Sequence, residues 1–406
     1  MKFFFPDSQD LVSPTYDFFA DEYLPTRVRQ RDDRYAHEVV EPAPYDGILV
    51  SKAIVDGSVS GSGKYTSAQR ARLYRMGVHK FFRLPKNMIS LGDCGAFNYI
   101  NEEYPPYTVS EVLDFYEGCG FNAGVSIDHV IFGFVPEAGE GRVDPAWVKR
   151  RYISLDLAEK FIGAVRDSGS GLEPVGAAQG WSPKSYADSV ARLQEMGYQR
   201  IALGGMVPLK TPEILACLQE IDLVRLEETE LHLLGITRVD SMSKFKDYGV
   251  TSFDSTSAFR QAFMDERNNY HTRDISFTAL RVPQVDGNPT LKRRILSGAV
   301  SQAEAVAVER ECLKCLRAYD REEASLEDAV DVLSKYEALV NGSKKKSYLD
   351  YYRRTLEAMP WKSCPCALCK EHGIEIAIFR GTERNKRRGF HNLTVLKSKM
   401  HELDIA

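Results

Sequence analysis

The sequence predicts an α/β fold, a TIM-like (β/α)8 barrel that carries a helical insertion and a cysteine-containing C-terminal subdomain. Three observations predict it. Short β-rich runs that end in polar or glycine residues alternate with helical patterns between residues 46 and 255. Residues 299–340 lack Gly and Pro, which favours one or two helices, and three cysteines then fall within six residues near the C-terminus. Repeated strand–helix units indicate parallel strands covered by helices.

The barrel prediction depends on the number of β-rich runs. Seven are evident, at 45–55, 88–95, 121–128, 173–180, 200–205, 231–237 and 251–255. We expect residues 275–282 to supply the eighth strand, because eight parallel strands close a barrel. Helical patterns lie between the runs, for example at 108–119, 147–165 and 182–197. Helix-start signals support two of them, Thr108 or Ser110 in one and Ser182 before Pro183 in another.

Composition excludes several classes of protein. The 406 residues are 43% hydrophobic and 27% charged, which is typical of a folded globular protein and not of a disordered or fibrous one. No run of about 18 apolar residues is available to span a bilayer. The opening MKFFFPDSQD is too short an apolar stretch for a signal peptide, so we expect a cytoplasmic protein with no membrane partner.

Charge is distributed unevenly along the chain. Residues 341–400 hold 14 Lys or Arg against five Asp or Glu, a net +9, whereas the whole chain carries −4. A basic segment on an acidic body is expected of a nucleic-acid contact. A solvated charged face would give the same count, and composition does not separate the two.

The clustered cysteines indicate a metal site. CPCALC supplies Cys364, Cys366 and Cys369, and a tetrahedral Zn²⁺ site needs one more ligand. His372 and His391 are the candidates, and we favour His391 because it begins the helical run HNLTVLKSKM, which can fold back over the turn. Four protein ligands would make the zinc structural. The expected domains are therefore a barrel at 1–290, a helical insertion at 291–340 and a basic zinc-binding subdomain at 341–406.

One segment resembles a phosphate-binding loop without meeting its pattern. GSGKYT at 61–66 has Ser58 where the first glycine is needed and Tyr65 where the loop requires Ser or Thr. We interpret it as a flexible loop over the barrel mouth.

Acids, an amide and glycines follow the predicted strands. Asp93, Asp128 and Asp254 end three of them, and Gln179 and the pair Gly204–Gly205 stand at the same place on two more. A single strand-terminal Asp is usually a turn or cap residue. Because functional side chains of β/α barrels gather at the C-terminal strand ends, the five positions together predict an active site.

At these residues the sequence resembles the tRNA-guanine transglycosylase superfamily. GDCGAF at 92–97 is similar to that family's Asp-Ser-Gly-Gly-Phe segment, and residues 176–206 are similar to its Gln-Gly…Gly-Tyr…Gly-Gly block. GVTSFDS at 249–255 matches the segment that bears its nucleophilic aspartate. The Cys-x-Cys-x-x-Cys pattern with a distant His completes the resemblance.

The resemblance implies a base exchange in which guanine is cut from its sugar and a 7-deazaguanine takes its place. Asp254 would be the nucleophile that attacks C1′, and Asp93 the general acid and base. Asp128, Gln179, Gly204 and Gly205 would bind the guanine-like base. Flanking phosphates would contact the basic region through Lys386, Arg387 and Arg388, with neighbours such as Lys344–Lys346.

Departures from the family pattern select a branch. Cys94 and Asn98 replace the family's Ser and Gln, Met-Val-Pro-Leu-Lys replaces Leu-Ala-Val-Gly-Glu after the Gly-Gly pair, and STSAFRQAF replaces the tRNA-contacting Pro-Thr-Arg. These changes resemble the DNA 7-deazaguanine transglycosylases, whose partners are DNA and free 7-cyano-7-deazaguanine. The alternatives are a tRNA-guanine transglycosylase and a non-catalytic nucleic-acid-binding subunit. The sequence does not decide whether helper proteins open the DNA duplex or whether the chain forms a homodimer.

Overall fold

The chain divides into two compact units. The computed structural model describes residues 1–7, 9–57, 63–342 and 347–405. The first unit comprises residues 1–9, 45–256 and 400–406, and the second comprises residues 10–44 and 257–399. The expected three-part division differs from this one, because residues 10–44 and 257–290 belong with the helices and the cysteine cluster of the second unit.

The first unit is a closed barrel of eight parallel strands in sequential order, which confirms the predicted fold. Pairing between β1 and β8 closes it, with Phe4 in register with Asp254. The strands are β1 (Lys2–Pro6), β2 (Gly47–Ser51), β3 (Ile89–Asp93), β4 (Ala123–Val125), β5 (Glu173–Ala178), β6 (Arg200–Leu203), β7 (Glu230–Leu233) and β8 (Val250–Asp254).

The first strand is the one that the sequence reading missed. Phe3 stacks on Phe253 at 5.1 Å, and Phe4 packs in the barrel core, so burial of aromatic rings explains why this short run forms a strand. The prediction that residues 275–282 form the eighth strand is wrong. In the second unit, Ser276–Phe277 pairs with Tyr270–His271, and Leu280–Arg281 pairs with Ile378–Phe379.

Apolar side chains fill the barrel, and helices cover it. Leu49, Leu91, Val125 and Val175 form part of the core. The predicted caps are confirmed, since the hydroxyls of Thr108 and Ser182 accept the N–H groups of Glu111 and Ser185. The helices of this unit are Lys52–Asp56, Ser67–Met76, Val78–Phe81, Val109–Cys119, Pro145–Ser168, Pro183–Met196, Thr211–Asp222 and Met242–Lys246.

The second unit is mainly helical. Residues 299–340 contain two helices, as expected, and the predicted helix at 391–400 belongs to a longer C-terminal helix that begins at Gly381. Among the described residues, no helix combines the length and apolar character needed to cross a membrane. The helices are Ala36–Val39, Ser257–Met264, Pro289–Leu296, Gln302–Asp320, Leu326–Asn341, Leu349–Ala358, Pro360–Ser363, Ala367–His372 and Gly381–Ile405.

Candidate active site and metal centre

The polar residues singled out in the barrel all lie at the C-terminal ends of its strands. Asp93 is the last residue of β3 and Asp254 the last of β8. Gln179 directly follows β5, the pair Gly204–Gly205 follows β6, and Asp128 stands three residues beyond β4. Parallel strands deliver all of these positions to one mouth of the barrel.

Asp254 is held in place by two donors. Its Oδ1 atom accepts the backbone N–H of Gly235 at 3.0 Å and lies 3.2 Å from Nε2 of His232. The Nδ1 atom of that histidine lies 2.8 Å from the hydroxyl of Ser252. The side chain of Asp254 is 9% exposed, and that of His232 is buried. The contacts at Oδ1 therefore orient the Asp254 carboxylate, and Asp254 lies at the mouth of the barrel as the last residue of β8.

Asp93 is the acid of the site whose pKa is raised most. Burial raises its pKa to about 8, with further increases from the negative charges of Asp128 and Asp254. Backbone N–H groups of Cys94 and Gly95 act in the opposite direction. These contributions from Asp128 and Asp254 agree with the position of all three acids at the same end of the barrel. A carboxyl group with this pKa holds its proton at neutral pH and can act as a general acid.

Asp128 and Gln179 form a buried pair. The side-chain amide of Gln179 donates to Oδ2 of Asp128 at 2.6 Å, and its carbonyl oxygen accepts the N–H of Ile131 at 3.1 Å. Burial raises the pKa of Asp128 to about 6, although the hydrogen bond from the amide lowers it. Both side chains are thus fixed with their acceptor and donor edges side by side.

The two glycines after β6 give the amide room. A Cβ atom on Gly204 would stand 2.1 Å from Nε2 of Gln179, and one on Gly205 would stand 2.2 Å from the carbonyl oxygen of Ile131. Gly205 also has φ +73°, which is unfavourable for other residues. Any larger side chain here would displace the Asp128–Gln179 pair.

Sequence reasoning missed several residues at this end of the barrel. Phe97, which is 53% exposed, lies 5.1 Å from the ring of Phe132. The two aromatics follow Asp93 and Asp128 by four residues each, and such exposed rings can stack on a base. His232 was missed as well, although a histidine inside an apolar strand is a signal for a buried polar contact.

The two departures next to Asp93 have different environments. Cys94 is buried in the barrel wall, with its sulfur 3.5 Å from the hydroxyl of Tyr116. Asn98 is exposed and donates to the carbonyl oxygen of Gly95 at 3.1 Å. Cys94 therefore has a packing role, and Asn98 stabilises its own turn.

The second unit contains a cluster that could hold a metal ion. The sulfurs of Cys364, Cys366 and Cys369 lie 3.6, 3.4 and 3.4 Å from Nδ1 of His391, and the four atoms lie within 4.8 Å of one another. Tetrahedral Zn–S and Zn–N bonds imply S···N separations of about 3.6 Å, so the arrangement fits zinc.

The hydrogen bond on the far side of His391 supports its role as a ligand. Its Nε2 donates to the carbonyl oxygen of His271 at 2.7 Å, which leaves the Nδ1 lone pair directed at the sulfurs. The alternative ligand, His372, lies outside the cluster and accepts from Arg387 at 3.2 Å. Of the two candidates, His391 thus completes the set.

The predicted phosphate contacts of the C-terminal helix are wrong for two of its three residues. Arg387 donates to Glu383 and to the carbonyl oxygen of Ser13, and Arg388 donates to the carbonyl oxygens of Ala262, Ile376 and Ile378. Both guanidinium groups are buried, so phosphates cannot reach them.

Lys386, the third of these residues, is largely buried and lies 3.5 Å from Asp10. The other predicted contacts, Lys344–Lys346, lie outside the described residues. So do residues 58–62 of the segment that resembles a phosphate loop. Tyr65 of that segment donates to Asp7 at 2.7 Å.

Comparison with known proteins gives one informative match. A DNA-guanine transglycosylase of Salmonella montevideo is 49% identical to this chain over 404 residues, which cover 98% of this chain and 96% of that protein. No protein-family model matches the chain.

Proposed function

The chain belongs to the DNA-guanine transglycosylase family, a group of glycosyltransferases, and on this premise we propose that it exchanges guanine in DNA for 7-cyano-7-deazaguanine. The observation that carries the proposal is the pairing of Asp254, held by two donors, with Asp93, whose pKa is raised to about 8, at one barrel mouth. Such a pair suits double displacement at a sugar carbon.

In the first displacement, a carboxylate oxygen of Asp254 bonds to C1′ while the C1′–N9 bond breaks. Protonated Asp93 donates its proton to the departing guanine. In the second, ionised Asp93 removes the N9 proton of the incoming base, whose nitrogen attacks C1′ and expels Asp254. Two inversions at the same carbon leave its configuration retained.

The incoming base would be selected by hydrogen-bond complementarity. Ionised Asp128 can accept from N1–H and from the exocyclic amine of a guanine-like edge, while the Gln179 amide and the Gly205 N–H donate to O6. Adenine would place a lone pair against Asp128, which is costly in a buried site. The close contact between Asp128 and Gln179 supports this role, because it prepares both groups before a base arrives.

DNA contacts are proposed for the loops at the barrel mouth. Lys210 and Arg238 are exposed on the loops that follow β6 and β7, and Arg238 donates to the carbonyl oxygen of Leu209 at 3.3 Å. Their positive charges suit backbone phosphates. The target nucleotide must leave the base stack before C1′ can reach Asp254.

For the second unit, we propose a structural Zn²⁺ held by Cys364, Cys366, Cys369 and His391. The bound ion would join the turn at 364–369 to the C-terminal helix by four coordination bonds. No open position would remain for a substrate.

The test uses purified protein, labelled 7-cyano-7-deazaguanine, and DNA or tRNA as acceptor. We expect label in DNA, with retained configuration at C1′. Asp254→Asn should lose at least about 10⁴-fold in exchange rate, because the amide is a poor nucleophile. Label in tRNA alone would reject the DNA substrate. Unchanged exchange by the Asp254→Asn variant would reject the mechanism.

A further inference from the structure

We propose that His232 and Ser252 form a positioning relay that determines which oxygen of Asp254 attacks the sugar. This inference rests on the proposed function, in which Asp254 is the nucleophile. It adds two residues that do not touch substrate and a defined role for each carboxylate oxygen.

The relay is built across neighbouring strands. His232 on β7 is in register with Ser252 on β8, and both residues are 1–2% exposed. The ring of Phe4 meets the imidazole edge-on at a centroid distance of 5.7 Å. Packing therefore confines the histidine to the plane in which its two nitrogens reach Ser252 and Asp254.

Hydrogen-bond polarity assigns one tautomer. An ionised Asp254 can only accept, so Nε2 of His232 carries the proton and donates to it at 3.2 Å. The Nδ1 atom then has a lone pair and accepts the Ser252 hydroxyl at 2.8 Å. The carboxylate disfavours the other tautomer, in which its lone pairs and that of Nε2 would oppose each other, and the serine supports the Nε2-protonated form by donating to Nδ1.

The two donors to Asp254 converge on one oxygen. Both the Gly235 N–H and the His232 N–H bind Oδ1, and among the described residues no hydrogen bond falls on Oδ2. Oδ2 is accordingly the attacking atom. As its bond to C1′ forms and the C1′–N9 bond breaks, Oδ1 becomes the carbonyl oxygen of the sugar–aspartyl ester.

In the first displacement the relay fixes which oxygen attacks, and its larger effect on the rate comes in the second displacement. When the incoming nitrogen attacks C1′, the Oδ2–C1′ bond breaks and negative charge returns to the carboxylate. The Gly235 and His232 donors stabilise that charge, so Asp254 becomes a better leaving group. His232 transfers no proton in either step. Without its donor, the ester should decay more slowly and accumulate.

The experiment compares His232→Leu, which removes the donor, with His232→Gln, whose side-chain amide offers an N–H at similar reach. We expect His232→Leu to lose about 10- to 100-fold in kcat. KM for DNA and base should stay within about twofold, and the steady-state fraction of covalent DNA–protein adduct should rise. His232→Gln should restore most of kcat and the wild-type adduct level.

A double-mutant cycle tests the serine. Ser252→Ala should lower kcat by about 3- to 10-fold in the otherwise wild-type protein and have little effect in the His232→Gln background, where no tautomer needs selection. Controls are His79→Leu and Ser90→Ala, a hydrogen-bonded pair 3.3 Å apart, with Ser90 in the first half of β3, away from the mouth. Both controls should keep the wild-type adduct level.

The outcomes separate the two proposals. Wild-type protein that exchanges no base overturns the proposed function and this role with it. Active wild type with wild-type kcat and adduct level in His232→Leu overturns the relay alone, as does a glutamine variant as slow as the leucine variant. If His232→Leu does not fold, ¹⁵N NMR of the wild-type imidazole decides: a proton on Nδ1 overturns the relay, and a proton on Nε2 supports it.

Discussion

The mouth of the barrel and the C-terminal helix both bury charged side chains, but they do so in opposite ways. At the mouth, Asp93 has Asp128 and Asp254 as neighbours, and burial, followed by the negative charges of these two acids, raises the pKa of Asp93 to about 8. At the helix, Arg380, the residue directly before it, pairs with Asp21 and Glu309, and Arg384 in its first turn pairs with Asp21 and Glu375.

The difference indicates that the charges at the mouth serve catalysis, whereas those at the helix stabilise the fold. Buried charges that are paired with opposite charges hold segments together, and their removal costs stability. Buried like charges with shifted pKa values are unfavourable for folding and are typical of active sites. The basic composition of the last sixth of the chain therefore misleads, because part of its positive charge is neutralised inside the second unit.

The largest effect should come from breaking the cysteine cluster. Cys366→Ser removes a thiolate ligand, and we expect loss of bound zinc together with several kcal/mol of the free energy of unfolding. Metal analysis and urea unfolding measure the two quantities. The control is Cys315→Ser, which changes a half-buried cysteine on the helix Gln302–Asp320, outside the cluster. This variant should bind as much zinc as the wild-type protein. Full zinc content in Cys366→Ser would exclude the proposed ligand set.

The like-charge character of the mouth predicts a pH profile. Because the pKa of Asp93 is raised to about 8, its proton is present below that pH and lost above it. Single-turnover guanine release should fall as pH rises through about 8. Asp93→Asn should slow release by about 10²- to 10⁴-fold and abolish this inflection.

Asp128→Asn sharpens the same test. Removing the charge of Asp128 lowers the repulsion on Asp93, so the inflection should move to lower pH. An inflection at wild-type pH in the Asp128→Asn variant would contradict the electrostatic coupling between the two acids.

The paired character of the C-terminal helix predicts a structural phenotype. Arg387→Met leaves Glu383 buried without its cation, which should cost about 3–5 kcal/mol of the free energy of unfolding. Arg353→Met breaks the exposed pair with Glu327 and should leave the free energy of unfolding nearly unchanged, because water screens that pair. Urea unfolding compares them. A stable Arg387→Met variant with weakened DNA binding would restore the phosphate-contact prediction.

The smallest effect is expected at the loops of the mouth. Lys210→Glu and Arg238→Glu should each weaken DNA binding and reduce the slope of log affinity against log salt by about 1. Fluorescence anisotropy at several salt concentrations measures both. Lys160→Glu, an exposed change on the helix Pro145–Ser168, should leave the slope unaltered. Equal slopes in all three variants would place the DNA elsewhere.

The sequence alone was sufficient for the barrel class, for seven of its strands and for the strand-end positions of the acids at its mouth. Strand-terminal positions such as Asp93 and Asp254 follow from local alternation plus one topological rule, which places all C-terminal strand ends together. The Cys-x-Cys-x-x-Cys spacing likewise indicates, within six residues, a cluster that could hold a metal ion. These signals are local, so no knowledge of distant partners is needed to read them.

Only the tertiary structure decided those features that depend on pairing or hydrogen bonding with residues distant in the sequence. β1 is recognisable only through its pairing with β2 and β8, and residues 275–282 are excluded from the barrel only by their pairing elsewhere. Arg387 resembles a phosphate ligand in the sequence, but in the structure it donates a hydrogen bond to the carbonyl oxygen of Ser13, 374 residues away. A charge count records how many cations a segment holds, whereas burial and partners determine what those cations can contact.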